Sequence, residues 1–396
     1  MGHLKSFAVA LLAAFLWQGC NTTPPPSFAF KPEKLSEIDA LLKQGIADHR
    51  MPGAVFWIEH QGVAYHEALG QRALRPVEED MTEDTIFDAA SLTKVLATAP
   101  AIMLLAERGA LDIEAPVQKY IEEFRRNGKD NITVRQLLTH TSGLRSGLSK
   151  RPEGQRAAIG IACQETVTNV PGTVFIYSDI NFILLGEIVQ RVDGRPLEEL
   201  VREEIYRPLR MKDTRYLPWS IDHTRIAPTE RDGTNMLRGV VHDPTARRMS
   251  GVAGHAGLFT TAADVARFAR MMLNGGELDG VRVFHPQTVS AMTSVQSPAG
   301  LPRRGFGWDI DSGYSRRGEI FPLGSYGHTG FTGTAMWIDP FSKTFWILLT
   351  NRVHPDGKGN ILSLQKWFST LAAGACGLES TASGTGGDTN SASIQR

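Results

Sequence analysis

The chain has 396 residues, which is long enough for a sizeable core and for two or three domains. Its charged fraction of 21% and apolar fraction of 42% are typical of a soluble globular protein. The 42 Lys and Arg residues balance the 42 Asp and Glu residues, so the formal net charge is zero. This balance excludes a strongly basic domain, and we expect no nucleic-acid partner.

The N-terminal segment has the pattern of an export signal. Lys5 precedes an apolar run, residues 7–17, which is too short for a membrane-spanning helix but suits a secretory signal. Cys20 follows Gly19 and precedes a polar, Pro-rich stretch, as in a bacterial lipobox, although Trp17 stands where Leu is usual. We expect an exported protein, periplasmic or anchored to a membrane through a lipidated Cys20. An ordinary cleaved signal is the alternative.

The remaining cysteines and histidines predict no structural cross-link framework. After Cys20 only Cys163 and Cys376 remain, which is too few for a disulfide framework, and the sequence leaves their pairing open. Cys and His residues do not have zinc-site spacing, and no His-Glu-x-x-His motif occurs. We therefore expect no metal and no cofactor.

Composition divides the chain into a folded body and two flanking segments. The division is a signal or lipobox (1–20), a Pro- and Thr-rich linker (21–33), a folded body (34–375) and a tail (376–396). The tail is mostly Gly, Ser, Thr and Ala, which predicts disorder because it can bury too little apolar surface.

The first half of the body predicts a helix, a hairpin and a buried helix. Leu35, Ile38, Leu42 and Ile46 recur on one helical face. Two strand-like runs, 54–59 and 63–69, follow as a hairpin, and residues 91–108 form an apolar helix that should be buried.

Strand patterns return late in the chain. They cover residues 305–310, 326–330, 334–339 and 345–350, and an amphipathic helix follows around 361–371. Strands at both ends predict an α+β fold, an antiparallel sheet flanked by helices, whose layer combines residues 34–110 and 246–375. Residues 111–245 would be a mainly helical insertion.

Ser91 and Lys94 are the first candidate catalytic pair. Three residues apart at a helix start, their side chains share a face. A serine hydroxyl needs a neighbouring base, and Lys94 can serve only if burial lowers its pKa well below about 10.4. The apolar helix predicts that burial, but Ser-x-x-Lys alone is a weak signal.

Two later motifs add candidate partners. Tyr177 precedes a predicted helix at 181–192, and a phenol beside a lysine can accept a proton if the cation holds the phenol in its ionised form. A structural Tyr followed by a helix cap at Ser178 or Asp179 is the alternative. His328 lies in a Gly-flanked late strand and could donate to a substrate carbonyl or carboxylate, although a strand histidine is commonly structural.

In this order the motifs resemble those of the serine β-lactamase and penicillin-binding protein superfamily, closest to its class C β-lactamase and esterase branch. The resemblance covers about 34–375 and rests on five motifs in order: residues 85–94 ending Ser91-Leu92-Thr93-Lys94, 135–144, Tyr177-Ser178-Asp179, 254–261, and His328-Thr329-Gly330.

The resemblance implies a β-lactamase/transpeptidase-like fold with the site between sheet and helical insertion. It further implies that Ser91 is acylated and that Lys94 and Tyr177 share the movement of its proton. The N–H groups of Ser91 and Phe331 would form the oxyanion hole. The implied substrate-binding residues are Asp179, His328, Thr329, Gly330 and Phe331.

Two departures from the family pattern bear on the substrate. Asp179 stands where Asn is common and would repel a substrate carboxylate, and His328 stands where Lys is usual and is mostly neutral at pH 7. Both argue against an anionic β-lactam. We expect an esterase or a cell-wall peptide (D-Ala) hydrolase acting on a small ester or peptide. A true β-lactamase, or a non-catalytic penicillin- or peptidoglycan-binding protein, remains the alternative.

Overall fold

An antiparallel sheet of eight strands, contributed by both ends of the chain, forms the frame of the fold. The computed structural model describes residues 29–219 and 222–379. The predicted signal and lipobox with Cys20, most of the linker and most of the tail lie outside the described residues. The predicted α+β class, an antiparallel sheet flanked by helices, is confirmed, while the domain boundaries within 34–375 stay a prediction.

Five strands from the C-terminal part of the chain lie side by side in this sheet, followed by three from the N-terminal part. In spatial order they are β11 (Arg303–Arg304), β12 (Asp309–Asp311), β13 (Tyr326–Thr329), β14 (Ala335–Asp339), β15 (Thr344–Thr350), β1 (Gly53–His60), β2 (Val63–Ala73) and β3 (Glu79–Asp80). Smaller pairings join β4 (Phe87–Asp88), β8 (Leu258–Thr260) and β5 (Arg215–Tyr216), then β6 (Arg231–Asp232) with β7 (Asn235–Met236), and β9 (Glu277–Leu278) with β10 (Val281–Arg282). The two ends of the chain meet where β1 pairs with β15, Ala54 opposite Thr350.

Helices cover both faces of the sheet and fill the region between α2 and β8. The α-helices are α1 (Pro32–Ala47), α2 (Ala99–Glu107), α3 (Val134–Leu138), α4 (Gln155–Gln164), α5 (Asp179–Asp193), α6 (Leu197–Val201), α7 (Pro244–Arg248), α8 (Ala262–Leu273), α9 (Pro286–Thr293) and α10 (Leu362–Ala375). Single 3₁₀ turns occur at Ala90–Leu92, Val117–Lys119, Glu122–Phe124 and His223–Arg225, and π turns at Lys94–Thr98 and Arg202–Tyr206.

Alternation along β15 divides the core into two layers. Trp346 and Leu348 join the apolar cluster beneath α1 and α10, whereas Ile347 and Leu349 join the larger cluster on the opposite face. Side chains on a strand point to alternate faces, so one apolar strand serves both layers. The Trp346 indole N–H donates to Ser369 Oγ of α10 at 2.8 Å, which satisfies both buried polar groups.

The apolar segment after Ser91 is a core helix, as predicted. Ala90–Glu107 is long and apolar enough to cross a membrane, yet 83% of it is buried inside the protein. The segment begins as a 3₁₀ turn, passes through a π turn at Lys94–Thr98 and becomes regular at α2. This irregular start lies beside Ser91, where π turns are common at functional sites.

The predicted strand at 305–310 is wrong in its first half. Gly305 and Gly307 form a turn between β11 and β12, with the Gly305 N–H donating to the Trp308 carbonyl at 2.9 Å. Gly307 has a φ of +81°, which a strand does not allow. Cys163 and Cys376, whose pairing the sequence left open, are both free and buried.

The Trp346 contact gives a stability prediction. Replacing Trp346 with Phe removes the bond to Ser369 and leaves a gap in the core, so we expect the free energy of unfolding to fall by about 2 kcal/mol. Urea unfolding followed by far-UV circular dichroism measures this. Trp367→Phe on α10, the helix that carries Ser369, is the control, because Trp367 is 55% exposed. Equal losses in both variants would contradict the assignment.

Candidate active site

A strained turn presents Ser91 at the edge of the core. Ala90 has a φ of +46°, a left-handed conformation that side-chain-bearing residues seldom adopt. The buried Asp88 carboxylate holds this turn, accepting from the Ala90 N–H at 2.9 Å and from the His242 N–H at 2.7 Å. Ser91 therefore follows directly on a backbone kink that is fixed from two sides.

Lys94 lies beneath Ser91 and is completely buried. Its Nζ donates to Ser91 Oγ at 3.0 Å and to the His255 carbonyl at 2.9 Å. Asp179 Oδ1, at the first turn of α5, lies 2.8 Å from the same nitrogen. The ammonium thus joins the nucleophile's segment, α5 and the segment that leads into β8.

The pKa of Lys94 moves opposite to the sequence-based expectation. Burial by itself lowers this pKa, but the Asp179 carboxylate and the Tyr177 oxygen outweigh burial and raise the pKa above its usual value. The expectation that burial would make Lys94 a neutral base is therefore wrong, because Asp179 contacts it directly. Lys94 is a cation in the resting site.

Tyr177 is held over Lys94 by aromatic packing and a backbone bond. Lys94 Nζ lies 5.1 Å from the centre of the Tyr177 ring, and the His140 ring packs against that ring at 4.5 Å. His140 Nδ1 accepts from the Ser178 N–H at 3.1 Å. The Ser178 hydroxyl donates to the Arg145 carbonyl at 2.6 Å instead of capping α5. His140 therefore positions Tyr177, a role that sequence reasoning missed.

His328 lines the cleft as a neutral ring. Its Nδ1–H donates to the Thr329 carbonyl at 2.8 Å, and burial holds the pKa of His328 well below its usual value. The ring is thus neutral, and Nε2 carries the lone pair. Nε2 is buried and has no hydrogen-bond partner in the described part of the chain. The expectation that His328 donates to a substrate is reversed, although its expected lack of charge is confirmed.

The segment after His328 is fastened to the turn before Ser91. Thr334 Oγ1 donates to the Ala89 carbonyl at 2.9 Å, and Thr332 Oγ1 donates to the Asp88 carbonyl at 2.7 Å. Any side chain at Gly330 would collide with Thr334 Oγ1 and the Ala89 carbonyl. This close approach fixes the backbone of Phe331 relative to that of Ser91, as a two-part oxyanion hole requires.

One cleft of about 750 Å³ brings together the residues predicted from separate parts of the sequence. Its lining includes Ser91, Tyr177, Asp179, His328, Thr329, Gly330 and Phe331. Lys94 lies below Ser91, out of contact with solvent. A second cavity of about 320 Å³ shares Ser91, Asp179, Asp243 and Phe331 with the cleft and also has Glu230 in its wall.

Asp243 and His255 form a buried pair that sequence reasoning missed. His255 Nε2 lies 3.0 Å from Asp243 Oδ1. Burial raises the pKa of Asp243, but His255 and Lys94 outweigh it and hold that pKa well below its usual range. Ligand atoms of Asp179, Asp243 and His255 come within 4.8 Å of one another. Lys94 already places a cation there, so we assign no metal.

The comparisons with known proteins agree with this geometry. The model of the Beta-lactamase protein family matches residues 38–366. The chain belongs to this family. It is a serine hydrolase of the β-lactamase-like type.

Relatives from this family align over most of their length. The chain is 34% identical to the N-acetylmuramyl-L-alanine amidase of Bacillus subtilis (strain 168), over 82% of each chain. It is 31% identical to a protein of Escherichia coli (strain K12) named for D-alanyl-D-alanine carboxypeptidase activity, over 89% of this chain and 91% of the relative. A penicillin-binding protein homologue from Caulobacter crescentus shares the fold, with a TM-score of 0.70, 23% identity, and 87% and 98% coverage.

The Asp179–Lys94 contact predicts a pH-dependent stability difference. In Asp179→Asn the buried Lys94 ammonium loses its carboxylate partner, so we expect a loss of about 2 kcal/mol at pH 7, discounted from a fully buried pair because Asp179 is 35% exposed. Wild-type Lys94 has a raised pKa, so its contribution persists to alkaline pH. In the variant the pKa of Lys94 in the folded state falls below its value in the unfolded state, so the variant becomes more stable as pH rises. The difference in stability between wild type and variant therefore narrows.

Thermal unfolding between pH 6 and pH 10, with both forms in a Ser91→Ala background, measures this gap. The exposed pair Lys34–Glu37 supplies the control Glu37→Gln, for which we expect a small, pH-independent change. A gap of constant size for Asp179→Asn across this range would contradict the assignment of Asp179 as the group that keeps the pKa of Lys94 raised.

Proposed function

We propose that the protein hydrolyses an amide bond in cell-wall fragments, the bond between the lactyl group of an N-acetylmuramyl sugar and L-alanine. The observation that carries the proposal is the 3.0 Å contact between Ser91 Oγ and a Lys94 ammonium held by Asp179, at the base of an open cleft. This arrangement supports acyl transfer through Ser91.

In the proposed mechanism Tyr177 is the proton acceptor and Lys94 the fixed charge. As the Ser91 oxygen attacks the substrate carbonyl, its proton passes to the phenolate oxygen of Tyr177, the ionised form that the adjacent Lys94 ammonium favours, and Tyr177 becomes a neutral phenol. The N–H groups of Ser91 and Phe331 stabilise the tetrahedral oxyanion. The proton then passes to the departing amine as the C–N bond breaks, leaving an ester on Ser91. Water, deprotonated by the same oxygen, hydrolyses that ester.

The relatives and the charge pattern together favour the muramyl amide over a D-Ala-D-Ala bond. The Bacillus subtilis relative is named as an amidase for the former bond, and the Escherichia coli relative is named for the latter. A terminal D-alanine carries a carboxylate directly beside the scissile bond. His328 lines the same cleft as Ser91 and is neutral, so it offers no cation to a terminal carboxylate.

The second cavity also favours a muramyl substrate. Its wall carries the carboxylates of Asp179, Glu230 and Asp243, which suit a neutral group rich in hydroxyl and amide N–H donors, such as a sugar. An anionic β-lactam meets these carboxylates and the neutral His328. The same features therefore argue against a β-lactamase.

We also propose that the enzyme works outside the cytoplasm. Lys5, the apolar run at 7–17 and Cys20 after Gly19 support export, with lipidation of Cys20 as the anchor. A lipid anchor of this kind would hold the enzyme at a membrane, next to the cell wall whose fragments it would cleave. Metabolic labelling with a palmitate analogue tests the anchor, since Cys20→Ala would then remove the label.

A substrate panel tests the proposed bond. We expect wild-type protein to release free peptide from N-acetylmuramyl-L-alanyl-D-glutamate, and Ser91→Ala to lose this turnover while keeping its fold by circular dichroism. Mass spectrometry of the products identifies the bond. Release of D-alanine from a pentapeptide with no cleavage at the sugar, or dominant turnover of a chromogenic cephalosporin, would refute the proposal.

Tyr177→Phe tests the proton acceptor. Removing the phenolic oxygen leaves the ring packing intact, so we expect kcat to fall roughly 10²- to 10⁴-fold with little change in KM. Tyr65→Phe, on β2 and away from the cleft, is the matched control. If Tyr177→Phe kept wild-type kcat, the proton would have to pass to another group.

A further inference from the structure

Two half-buried arginines in the cleft wall lack a carboxylate partner. Arg316 donates to the Ser315 carbonyl at 2.9 Å, and Arg352 donates to the Gly359 carbonyl at 2.6 Å. Neither guanidinium forms an ion pair with any carboxylate in residues 29–219 and 222–379. Both line the same cleft as Ser91.

A half-buried guanidinium without an anionic partner destabilises the folded protein, and a bound anion would relieve this cost. Burial lowers the pKa of Arg316 and of Arg352, and it outweighs the opposing effects of Asp309 on Arg316 and of Glu230 on Arg352. A guanidinium nonetheless stays charged in proteins, so the cost is not relieved by deprotonation. Nearby arginines are paired: Arg317 lies 3.4 Å from Asp311, and the fully buried Arg304 lies 3.4 Å from Asp309.

Other charged groups do not complete the pairing. Asp309, the buried carboxylate between β11 and β13, accepts from Ser312 Oγ at 2.9 Å and faces Arg304. Lys358 is paired with Asp356 at 2.6 Å. The Nε atoms of Arg304 and Arg316 are buried and have no hydrogen-bond partner within the described ranges, and Arg304 is 1% exposed. This part of the cleft therefore has a surplus of guanidinium donors.

The two arginines flank the catalytic strand from separate segments. Arg352, after β15, lies over the Phe331 ring at 4.5 Å. Arg316 follows Tyr314, whose ring packs against Tyr177 at 5.4 Å. Both guanidinium groups line the cleft that also contains Ser91 and His328.

We propose that Arg316 and Arg352 form a carboxylate-binding subsite for the peptide part of the substrate. This inference rests on the proposed function. A guanidinium presents paired N–H donors that match a carboxylate, and the free acidic groups of a cell-wall peptide supply such a partner. The cation that family members carry at the position of His328 is then replaced by two cations farther along the peptide.

The test compares two substrates that differ only in charge: N-acetylmuramyl-L-alanyl-D-glutamate and its diamide. We expect wild-type kcat/KM to favour the diacid, and Arg316→Gln or Arg352→Gln to reduce that preference roughly 10- to 100-fold, mainly through KM. Arg317→Gln is the matched control, because Arg317 points to Asp311 and to the Phe321 carbonyl. It should keep the wild-type preference.

Inhibition of the hydrolysis of a neutral ester tests the carboxylate-binding subsite separately from the proposed cleavage of the muramyl amide bond. Turnover of 4-nitrophenyl acetate reports the chemistry of Ser91 even if the muramyl amide is not the substrate. In this assay L-alanyl-D-glutamate should inhibit wild-type protein better than its diamide, and Arg316→Gln should abolish the difference, whereas Arg316→Lys should retain part of it. Equal inhibition of the wild type by acid and diamide, or equal loss for both ligands in the variants, would overturn the subsite.

Discussion

A completely buried ammonium, that of Lys94, is the constraint around which the site is organised. Removing a charge from water is costly, and the cost is met here by contacts to Ser91 Oγ, the Asp179 carboxylate and the His255 carbonyl. These partners come from three distant segments of the chain, so pairing one cation aligns the core helix, α5 and the segment before β8. The contacts that stabilise the buried Lys94 ammonium therefore also position Ser91.

The cleft contains both acidic and basic side chains. Asp179, Asp243 and Asp309 line it together with Arg316 and Arg352, and Glu230 lies in the wall of the smaller cavity. The three aspartates have cationic or histidine partners in Lys94, His255 and Arg304, so Arg316 and Arg352 are the groups left to bind a substrate carboxylate. His328, in the same cleft, is neutral, because its Nδ1–H is bound to the Thr329 carbonyl and its ring is buried.

The sequence predicted most of the sheet and the residues of the cleft, because strand alternation and motif order are local signals. It failed at 305–310, where Gly305 and Gly307 bend a strand-like pattern into a turn. It also gave the wrong direction for the pKa of Lys94, since burial is readable from an apolar helix but the 2.8 Å contact with Asp179 arises only on folding. The positioning role of His140 and the Asp243–His255 pair likewise depend on contacts between distant segments.

The protonation state of Lys94 tests the central claim most directly. Heteronuclear NMR of protein labelled at lysine Cε and Nζ, with the Lys94 signal assigned by comparison with Lys94→Arg, follows its titration without any substrate. The account predicts a Lys94 signal that stays in the ammonium form up to and beyond pH 10.5, the usual lysine pKa. A Lys94 signal that titrates near neutral pH would identify a neutral lysine base and contradict the account.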